Sequence, residues 1–478
     1  MKKFLLMPSR LLGKRWKMLS LTLAEIAKAI SGEIYRGDLT KKVSGKVETD
    51  SRQITAGGIF FAKLGAFEDG HEYVADAHAS GAALAVVSRP LPDVSIDQIV
   101  VPDTISALSK LAEDVLNRVR AKGKLKVVGI TGSNGKTSTK NMLERILSSK
   151  SETVSPIASF NNEVGLPLTV LRITEDTEYL VLELGAAGVG SIDRLANWTK
   201  PDIGVQLKVG MAHAGEFGGI EVTERIKAEM MPHIQQAAVL NFDDPRVRRF
   251  EFAGKRIGFG FAEDADFRIL STELSLEGTQ VKFEHAGRTY DITLKILGEH
   301  QAMNLMAAIA VATELGVPIE QSLDIARGIE MAERWRMQLL NSPNGYWVIN
   351  DAYNASPDSM RAALQTLAVL GKAGHRTIAI LGMMAELGEF SAEEHDAIGR
   401  LVVRLNIDQL FVVGQEAKLI HMAASQEGSW DGESIFIESI AGAYEIIRDR
   451  LRPEDIVLVK ASNIAGLRFL GDDLAGVN

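Results

Sequence analysis

Short apolar runs alternate with helical patterns along most of the chain. The runs YLVLELG, DIGVQLKVG and AAVLNFDDP are rich in Val, Ile and Leu, and each ends in polar residues. Strands that are buried in a parallel sheet have this composition, with helices covering both faces of the sheet. The stretch AMNLMAAIAVATEL, residues 302–315, predicts a buried helix. The pattern therefore predicts an α/β protein with mostly parallel sheets.

The pattern changes along the chain in a way that predicts three domains, as the length of 478 residues also suggests. Residues 19–105 mix short strand-like runs with glycine turns and predict a small mixed α/β domain. Residues 106–331 alternate apolar runs with helical patterns and predict a central domain with a mostly parallel sheet. Residues 332–478 repeat the alternation of strands and helices and predict a doubly wound, Rossmann-like domain.

Composition narrows the class of protein. Hydrophobic residues make up 46% of the chain and charged residues 24%, which is typical of a soluble globular protein. The net charge of −9 gives no overall preference for nucleic acid. Cysteine is absent, which excludes disulfides, thiolate nucleophiles and cysteine-ligated metals, and favours a cytoplasmic location. No apolar run reaches the length of a membrane span.

The first 18 residues differ from the remainder of the chain. They contain six Lys and Arg residues and no acidic residue. This basic leader lacks an apolar core long enough for a signal peptide. An amphipathic pattern begins at Met18. We therefore expect residues 1–18 to be a disordered arm, unless translation begins at Met18.

The stretch VVGITGSNGKTSTKNMLERIL, residues 127–147, has the parts of a phosphate-binding loop. Gly132 and Gly135 let the backbone approach phosphates, and a helix N-terminus offers free N–H groups. Lys136 would neutralise the β- and γ-phosphates, and the Thr137 hydroxyl would bind Mg²⁺. The spacing is unusual because the residue five places before Gly135 is not glycine. An ordinary glycine-rich turn is the alternative, but the succession of strand, Gly-Lys-Thr and helix favours phosphate binding.

Other polar residues are ambiguous when the sequence is considered alone. Glu183 ends the run YLVLELG, where it either binds a metal near the loop or caps a strand and faces water. His213 in a glycine-rich loop and Lys227 on the following helix need no function by themselves. A strand-to-helix turn in the last domain is crowded with polar side chains that could surround a ligand: Asp351, Tyr353, Asn354 and Asp358.

Together these motifs resemble the Mur ligases, the ATP-dependent amide-forming enzymes of peptidoglycan precursor synthesis. The resemblance begins near Met18 and extends to the C-terminus. The loop TGSNGKTS is similar to the ATP signature of the family, which folylpolyglutamate synthases share. FNNEVGLPLTVL (residues 160–171) and DAYNASPDSM (residues 351–360) resemble the members that add D-alanyl-D-alanine. The resemblance implies a UDP-binding N-terminal domain, a central ATPase and a Rossmann-like C-terminal domain in a monomer.

The resemblance also implies an activity. ATP would activate the carboxylate of UDP-N-acetylmuramoyl-tripeptide as an acyl phosphate, and D-alanyl-D-alanine would displace the phosphate to give the pentapeptide precursor. The implied partners are these small molecules, with no nucleic acid. The alternatives are a sister ligase that adds a diamino acid, a folylpolyglutamate synthase-like ligase, and a non-enzymatic regulator built on a ligase scaffold. The presence of the loop lysine and of the metal positions argues against the regulator.

The resemblance assigns roles to individual residues, with ATP and two Mg²⁺ ions as cofactors. The catalytic positions are Lys136, Glu183, His213 and Lys227. The metal positions are Thr137, Glu183, His213 and Lys227, the last carbamylated to give an anionic oxygen ligand. The ATP-binding positions are Gly132, Ser133, Asn134, Gly135, Lys136, Thr137, Ser138, Asn304, Arg334 and Asp351. The substrate positions are Asp50, Ser51, Arg52, Asn161, Asn162 and Asn354. Three residues depart from those usual in the family, namely Gln301, Met383 and Asn463.

Overall fold

A computed structural model describes residues 17–65, 68–157, 159–212, 214–331, 333–427 and 432–477. The described residues form two compact units, the first within residues 17–127 and 151–182 and the second within residues 128–150 and 183–477. Most of the predicted basic leader lies outside the described residues. Met18, at its end, is buried, and its amide donates to the Ser44 carbonyl at 3.0 Å. The three predicted domain boundaries remain a prediction.

Strands and helices alternate throughout the described chain. Up to residue 183 the elements are β1 (Leu21–Thr22), α1 (Leu23–Ile30), β2 (Glu33–Arg36), β3 (Lys42–Val43), β4 (Val47–Glu48), β5 (Ile59–Phe61), α2 (Val74–Ala79), β6 (Leu84–Val87), β7 (Asp97–Val100), α3 (Thr104–Arg120), β8 (Lys126–Thr131), α4 (Lys136–Ser148), β9 (Thr153–Val154), α5 (Gly165–Val170) and β10 (Tyr179–Glu183). Up to residue 331 they continue with α6 (Ser191–Thr199), β11 (Ile203–Gln206), α7 (Ala214–Phe217), α8 (Ile220–Ala228), β12 (Ala237–Asn241), α9 (Pro245–Arg248), β13 (Lys255–Gly260), β14 (Phe267–Ser275), β15 (Gly278–His285), β16 (Arg288–Leu294), α10 (Glu299–Glu314) and α11 (Ile319–Arg327). The remaining elements are β17 (Gln338–Asn341), β18 (Trp347–Asn350), α12 (Pro357–Gly371), β19 (Thr377–Leu381), α13 (Ser391–Arg404), β20 (Gln409–Val413), α14 (Lys418–Gln426), β21 (Glu433–Ile437), α15 (Ala443–Arg448), β22 (Ile456–Lys460) and α16 (Leu467–Ala475).

The first unit contains a five-stranded sheet in the order β2-β7-β6-β5-β4. All its neighbours are parallel except β2, which runs antiparallel to β7. Helix α3 begins at the cap Asp103, whose carboxylate accepts from the Ile105 amide at 2.9 Å. Its apolar residues recur at helical spacing and are buried. These features match the predicted mixed α/β character of the N-terminal part.

The second unit contains two sheets. One includes the order β16-β15-β14-β13-β12-β11-β8, in which β8 and β11 to β14 are parallel and β14 to β16 are antiparallel. The other has the order β17-β18-β22-β19-β20-β21 and is parallel except for β17. Because β8 and β11 are parallel neighbours, their carboxyl ends lie at the same edge of the sheet. The predicted fold class is confirmed, with an antiparallel extension at residues 267–294 as an addition.

The predicted strands and the predicted buried helix are present. The runs YLVLELG, DIGVQLKVG and AAVLNFDDP form β10, β11 and β12. The apolar stretch of residues 302–315 forms most of α10, which is buried along nearly its whole length and contacts α4. Within the described residues, no helix is both long enough and apolar enough to cross a bilayer.

Candidate active site

The phosphate-binding loop connects β8 to α4, as its sequence predicts. Gly132 has φ of 151° and Gly135 has φ of 86°, conformations that side chains rarely adopt. A Cβ atom at Gly135 would lie 2.4 Å from the Asn304 Oδ1 atom, and one at Gly132 would lie 2.9 Å from the Leu207 Cβ atom. Glycine is therefore required at both positions, by backbone conformation and by close packing.

Two side chains at the start of α4 form hydrogen bonds close to the loop. The Lys136 ammonium donates to the Gly132 carbonyl at 2.7 Å, so it is folded onto the loop. Burial lowers the pKa of Lys136, and the nearby Glu183 carboxylate opposes this effect. The Thr137 hydroxyl is buried and donates to Glu183 Oε2 at 3.3 Å. Lys136, Thr137 and Glu183 are thus brought together, as predicted.

Glu183 is fully buried at the end of β10, so it does not face water. Burial raises the pKa of this carboxyl group, while Lys140, Lys136 and Arg336 oppose the increase. Among the described residues, Glu183 Oε1 accepts no hydrogen bond, and the Lys140 ammonium lies 4.0 Å from it. An acceptor atom that is buried without a hydrogen bond is costly unless a ligand completes its bonding.

Lys227 lies on α8 and is only 2% exposed, so it is not a surface lysine. Burial holds the pKa of Lys227 well below its ordinary value; the Lys136 charge lowers it further, and Glu229 opposes both. Burial therefore favours the neutral amine more strongly here than in an exposed lysine. The predicted metal position His213 lies outside the described residues.

A cavity of about 850 Å³ opens beside the phosphate-binding loop. Its lining includes Asn134 and Gly135 of the loop, His300 and Asn304 of α10, and side chains of α12. Asn304 is fixed by two hydrogen bonds, because its Nδ2 donates to Gln301 Oε1 at 3.1 Å and its Oδ1 accepts from the Thr139 hydroxyl at 3.3 Å. The volume lies in the range of small-ligand sites, and Asn304 lines the cavity. Its contact with ATP stays a prediction.

His300, in the same lining, was not predicted from the sequence. Burial lowers the pKa of His300 to about 4, opposed by Asp351 and assisted by Lys460. The imidazole is therefore neutral near pH 7. The sequence showed only a histidine after Gly298-Glu299 at the start of a predicted helix. That pattern alone does not indicate a residue that lines a cavity.

Arg334 and Asp351, the nucleotide contacts predicted in the last part of the chain, are held by other protein groups. Asp351 Oδ2 pairs with the Lys460 ammonium at 2.5 Å, and its Oδ1 accepts from the Met337 amide at 3.0 Å. Arg334 pairs with Asp472 at 2.8 Å. Neither residue is part of the cavity lining. The Asn354 carbonyl accepts from Lys460 at 3.1 Å, which places Asn354 beside Asp351.

Arg336 is a residue that the sequence reasoning missed. Its charge acts on Lys136, Lys140 and Glu183, which places it close to the loop. Among the described residues, its buried Nε atom has no hydrogen-bond partner, and its guanidinium lies 4.5 Å from the centre of the Tyr353 ring. The sequence signal was the second arginine of the segment Arg-Trp-Arg, of which only Arg334 was selected.

The predicted substrate residues of the first unit, unlike the buried groups beside the phosphate-binding loop, form hydrogen bonds mainly with residues close to them in the sequence. Asp50 caps a short 3₁₀ turn, and its carboxylate accepts two bonds of 2.8 Å from the Arg52 guanidinium. Ser51, which lies between Asp50 and Arg52 in the sequence, is buried, whereas Arg52 is largely exposed. Asn162 Oδ1 accepts from the Gly165 amide at 2.8 Å and so helps to begin α5. Asn161 is partly exposed.

Comparison with known proteins gives three adjoining matches along the chain. Residues 45–115 match the model described as "Mur ligase family, catalytic domain". Residues 130–312 match "Mur ligase middle domain" and residues 335–463 match "Mur ligase, glutamate ligase domain". The middle match contains the phosphate-binding loop, Glu183 and Lys227.

Relatives and solved structures match over nearly the whole chain. A UDP-N-acetylmuramoyl-tripeptide–D-alanyl-D-alanine ligase of Mycobacterium tuberculosis is 40% identical in an alignment of 503 positions, gaps included. The alignment covers 96% of this chain and 98% of that protein. The crystal structure of MurF from Acinetobacter baumannii has a TM-score of 0.86 and 30% identity, with coverage of 96% and 99%. The MurF ligase from Thermotoga maritima in complex with ADP has a TM-score of 0.78 and 26% identity, with coverage of 90% and 97%.

Proposed function

The chain belongs to the Mur ligase family, and we propose that it is an ATP-dependent ligase that joins D-alanyl-D-alanine to UDP-N-acetylmuramoyl-tripeptide. The observation that carries this proposal is the 40% identity to a ligase of that name over 96% of the chain. The retained phosphate-binding loop and the buried Glu183 support a working enzyme rather than a regulator, because both would be costly to keep without a ligand.

The reaction needs ATP because a carboxylate is a poor electrophile. Transfer of the γ-phosphoryl group to the tripeptide carboxylate forms an acyl phosphate and ADP. The amino group of D-alanyl-D-alanine then attacks the acyl carbon and forms a tetrahedral intermediate. Collapse of this intermediate breaks the bond to the phosphate oxygen, releases inorganic phosphate and leaves an amide, while the amine loses a proton to the solvent.

Lys136 is proposed to act on the ATP phosphates. Its ammonium, which bonds to the Gly132 carbonyl in the structure, is close enough to the loop to bind a phosphate in exchange. Gly132 and Gly135 adopt backbone conformations that favour glycine and carry no side chain, so the loop backbone can approach the phosphates closely. Asn304 is fixed in the adjoining cavity, where it would contact the remainder of the nucleotide. Charge stabilisation is strong at such buried positions, because water screens it little.

The residues present fit Mg²⁺, which prefers oxygen ligands. Glu183 Oε1 is a buried carboxylate oxygen that accepts no hydrogen bond from the described residues, and the Thr137 hydroxyl is beside it. The described ranges contain no group of three or more His, Cys, Asp or Glu side chains that could by itself hold a metal ion. We propose that Thr137, Glu183, His213 and a modified Lys227 together hold two ions. When bound, Mg²⁺ would neutralise charge on the transferred phosphoryl group.

Carbamylation is the modification proposed for Lys227. Its neutral amine, favoured by burial, attacks carbon dioxide; a nitrogen–carbon bond forms and one proton is released. The product is an anionic carbamate, which supplies the oxygen ligand that an ammonium group could not. The buried position protects the carbamate from water, and Lys136 provides a neighbouring positive charge.

The test is phosphate release from ATP with Mg²⁺, bicarbonate and UDP-N-acetylmuramoyl-tripeptide, with and without D-alanyl-D-alanine. Release that depends on the dipeptide, together with the pentapeptide nucleotide in the mass spectrum, is the expected result. Tripeptides ending in lysine and in diaminopimelate are compared to identify the third residue. Turnover supported only by a single amino acid or by folate would instead assign a sister activity, and nucleotide binding without turnover would favour a regulator.

We also propose that the protein acts as a monomer in the cytoplasm. The proposed substrates are small molecules, and a monomer is what the family resemblance implies. Sedimentation of the purified protein over a range of concentrations tests the monomer. Cell fractionation with an antibody tests the location.

A further inference from the structure

We propose that Asp358 is a positioning residue of the active site, which anchors the loop of residues 207–212 to the start of α12. This inference rests on the proposed function, since the loop matters through the reaction. The loop follows β11 at the carboxyl edge of the sheet and leads directly to His213, a proposed metal ligand. The loop also lines the cavity beside the phosphate-binding loop.

The anchor consists of both carboxylate oxygens of Asp358. Oδ2 accepts from the Met211 amide at 2.9 Å, and Oδ1 accepts from the Lys208 ammonium at 3.1 Å. A Cβ atom at Gly210 would lie 2.4 Å from Asp358 Oδ2, so the loop can approach the carboxylate only because residue 210 is glycine. The contact is therefore close as well as polar.

Other polar groups of the loop form hydrogen bonds with residues that follow neighbouring strands at the carboxyl edge of the sheet. The Ser133 amide donates to the Lys208 carbonyl at 2.7 Å, and the Ser133 hydroxyl accepts from the Gly210 amide at 2.9 Å. The Val209 amide donates to Asp244 Oδ2 at 2.8 Å. Met211 lies just two positions before His213, and its amide is bound by Asp358 of α12. Asp358 thus binds the loop at Met211, two positions before the proposed metal ligand His213.

A second contact joins the start of α12 to the phosphate-binding loop. The Ser356 hydroxyl, at the N-cap of α12, donates to Asn134 Oδ1 at 3.1 Å. The N-terminus of α12 therefore contacts both loops that border the cavity. We therefore expect the position of α12 to fix the geometry of both loops. Phosphoryl transfer depends on that geometry.

The two bonds of Asp358 differ in expected importance. The Lys208 side chain is 48% exposed, and exposed ion pairs contribute little. The bond to the Met211 amide is partly buried, and loss of a charged acceptor would leave that amide without its partner. A plain alternative is that Asp358 only favours its own helix, because an acid in the first turn interacts well with the helix dipole. Substitutions can separate these roles.

The experiment compares Asp358→Ala, Asp358→Asn and Lys208→Met with Asp396→Ala as the matched control. Like Asp358, Asp396 lies in a helix and forms an ion pair with a basic side chain, here an arginine. It is far in the sequence from both loops. We expect Asp358→Ala to lower kcat about 10- to 100-fold, as for other small losses of alignment, with a much smaller change in KM for ATP. Asparagine keeps an acceptor for the Met211 amide, so Asp358→Asn should recover most of kcat. Lys208→Met removes only the exposed ion pair and should lower kcat less than Asp358→Ala does.

Hydrogen exchange provides a readout that does not depend on turnover. With ADP and Mg²⁺ present, peptides that cover residues 207–217 should exchange faster in Asp358→Ala than in Asp358→Asn, while peptides of α12 should be unchanged. Faster exchange confined to α12, or a lowered unfolding temperature with wild-type kcat, would assign Asp358 to helix stability and overturn the proposal. Equal loss of kcat in the alanine and asparagine variants would overturn it too, since the amide bond would not matter. Absence of ligase activity in the wild type would contradict the proposed function, whereas the exchange comparison would still test the anchor.

Discussion

Two predicted ligand-binding regions differ in how their charged groups are satisfied. Beside the phosphate-binding loop, Lys140, Glu183 and Lys227 are buried, and Glu183 Oε1 has no hydrogen bond from the described residues. In the TDSR stretch of the first unit (residues 49–52), which contains the predicted substrate positions, Arg52 is 79% exposed and pairs with Asp50, two residues earlier. The first region has bonding capacity that a ligand can complete, whereas the second is already satisfied by its own residues.

The difference predicts how strongly each region responds to substitution. Buried charges interact in a medium of low polarity, so removing one leaves others without compensation. An exposed pair is screened by water, and a ligand that binds there exchanges one set of polar contacts for another. Substitutions beside the loop should therefore change turnover by orders of magnitude, whereas those in the TDSR stretch should change substrate affinity modestly.

The largest effect is expected from Lys136→Met. The change removes the ammonium group that would bind the ATP phosphates, and we expect kcat to fall about 1,000-fold or more. Phosphate release measured at saturating substrates checks this. Lys28→Met, at an exposed position of α1, is the control and should keep wild-type kcat. A kcat within tenfold of wild type in Lys136→Met would mean that another group binds the phosphates.

The next effect concerns Lys227. Its pKa is lowered by burial, so the neutral amine that reacts with carbon dioxide persists to lower pH than in an exposed lysine. Lys227→Ala should lower kcat about 100-fold by removing a metal ligand, and a small carboxylate such as formate should restore part of it. Protein prepared with carbon-13 bicarbonate should show a carbamate carbon by NMR in the wild type and not in the variant. A wild-type spectrum without this carbon would contradict carbamylation.

Alanine substitutions at two glycines with nearly the same φ compare a position that has a close contact with one that has none. Gly135 has φ of 86° and would place a Cβ atom 2.4 Å from Asn304 Oδ1, whereas Gly123 has φ of 84° and nothing within 4 Å. Gly135→Ala should weaken ADP binding about tenfold or more, because it combines strain with displacement of Asn304. Gly123→Ala carries the strain alone and should leave ADP binding unchanged. Calorimetric titration of both variants measures this, and equal affinities would show that the contact with Asn304 has no effect on the site.

The strand and loop predictions succeeded where the local pattern decides the structure. Apolar runs became β10, β11 and β12 because a strand buried on both faces needs apolar residues throughout. The loop after β8 has the predicted form because its glycines and the following helix are adjacent in sequence. The antiparallel strands β14 to β16 were not predicted, because their alternating polar residues produce no long apolar run.

The surroundings of individual side chains could not be predicted in the same way. The burial of Lys227 depends on the packing of α8, and from the residues alone a surface lysine without a function was the favoured interpretation. The charge of Arg336 acts on Glu183 from 153 positions later in the chain, a proximity that only the tertiary fold creates. Arg334 and Asp351 were assigned from family likeness, and their bonds to Asp472 and Lys460 also depend on distant segments.

The smallest effect is expected from Asp50→Asn in the TDSR stretch. The Arg52 guanidinium holds the pKa of Asp50 at about 2, so the pair stabilises the fold above the unfolded pKa near 4 and is lost as pH falls towards 2. Because the pair is exposed, the substitution should shift the unfolding temperature at pH 7 by about 1 °C or less. Release of Arg52 should change KM for the UDP substrate only about two- to threefold, with kcat unchanged. Steady-state kinetics beside thermal unfolding checks both expectations. A fall in kcat comparable to that of Lys227→Ala would mean that the TDSR stretch is coupled to the chemistry, and the contrast between the two regions would not hold.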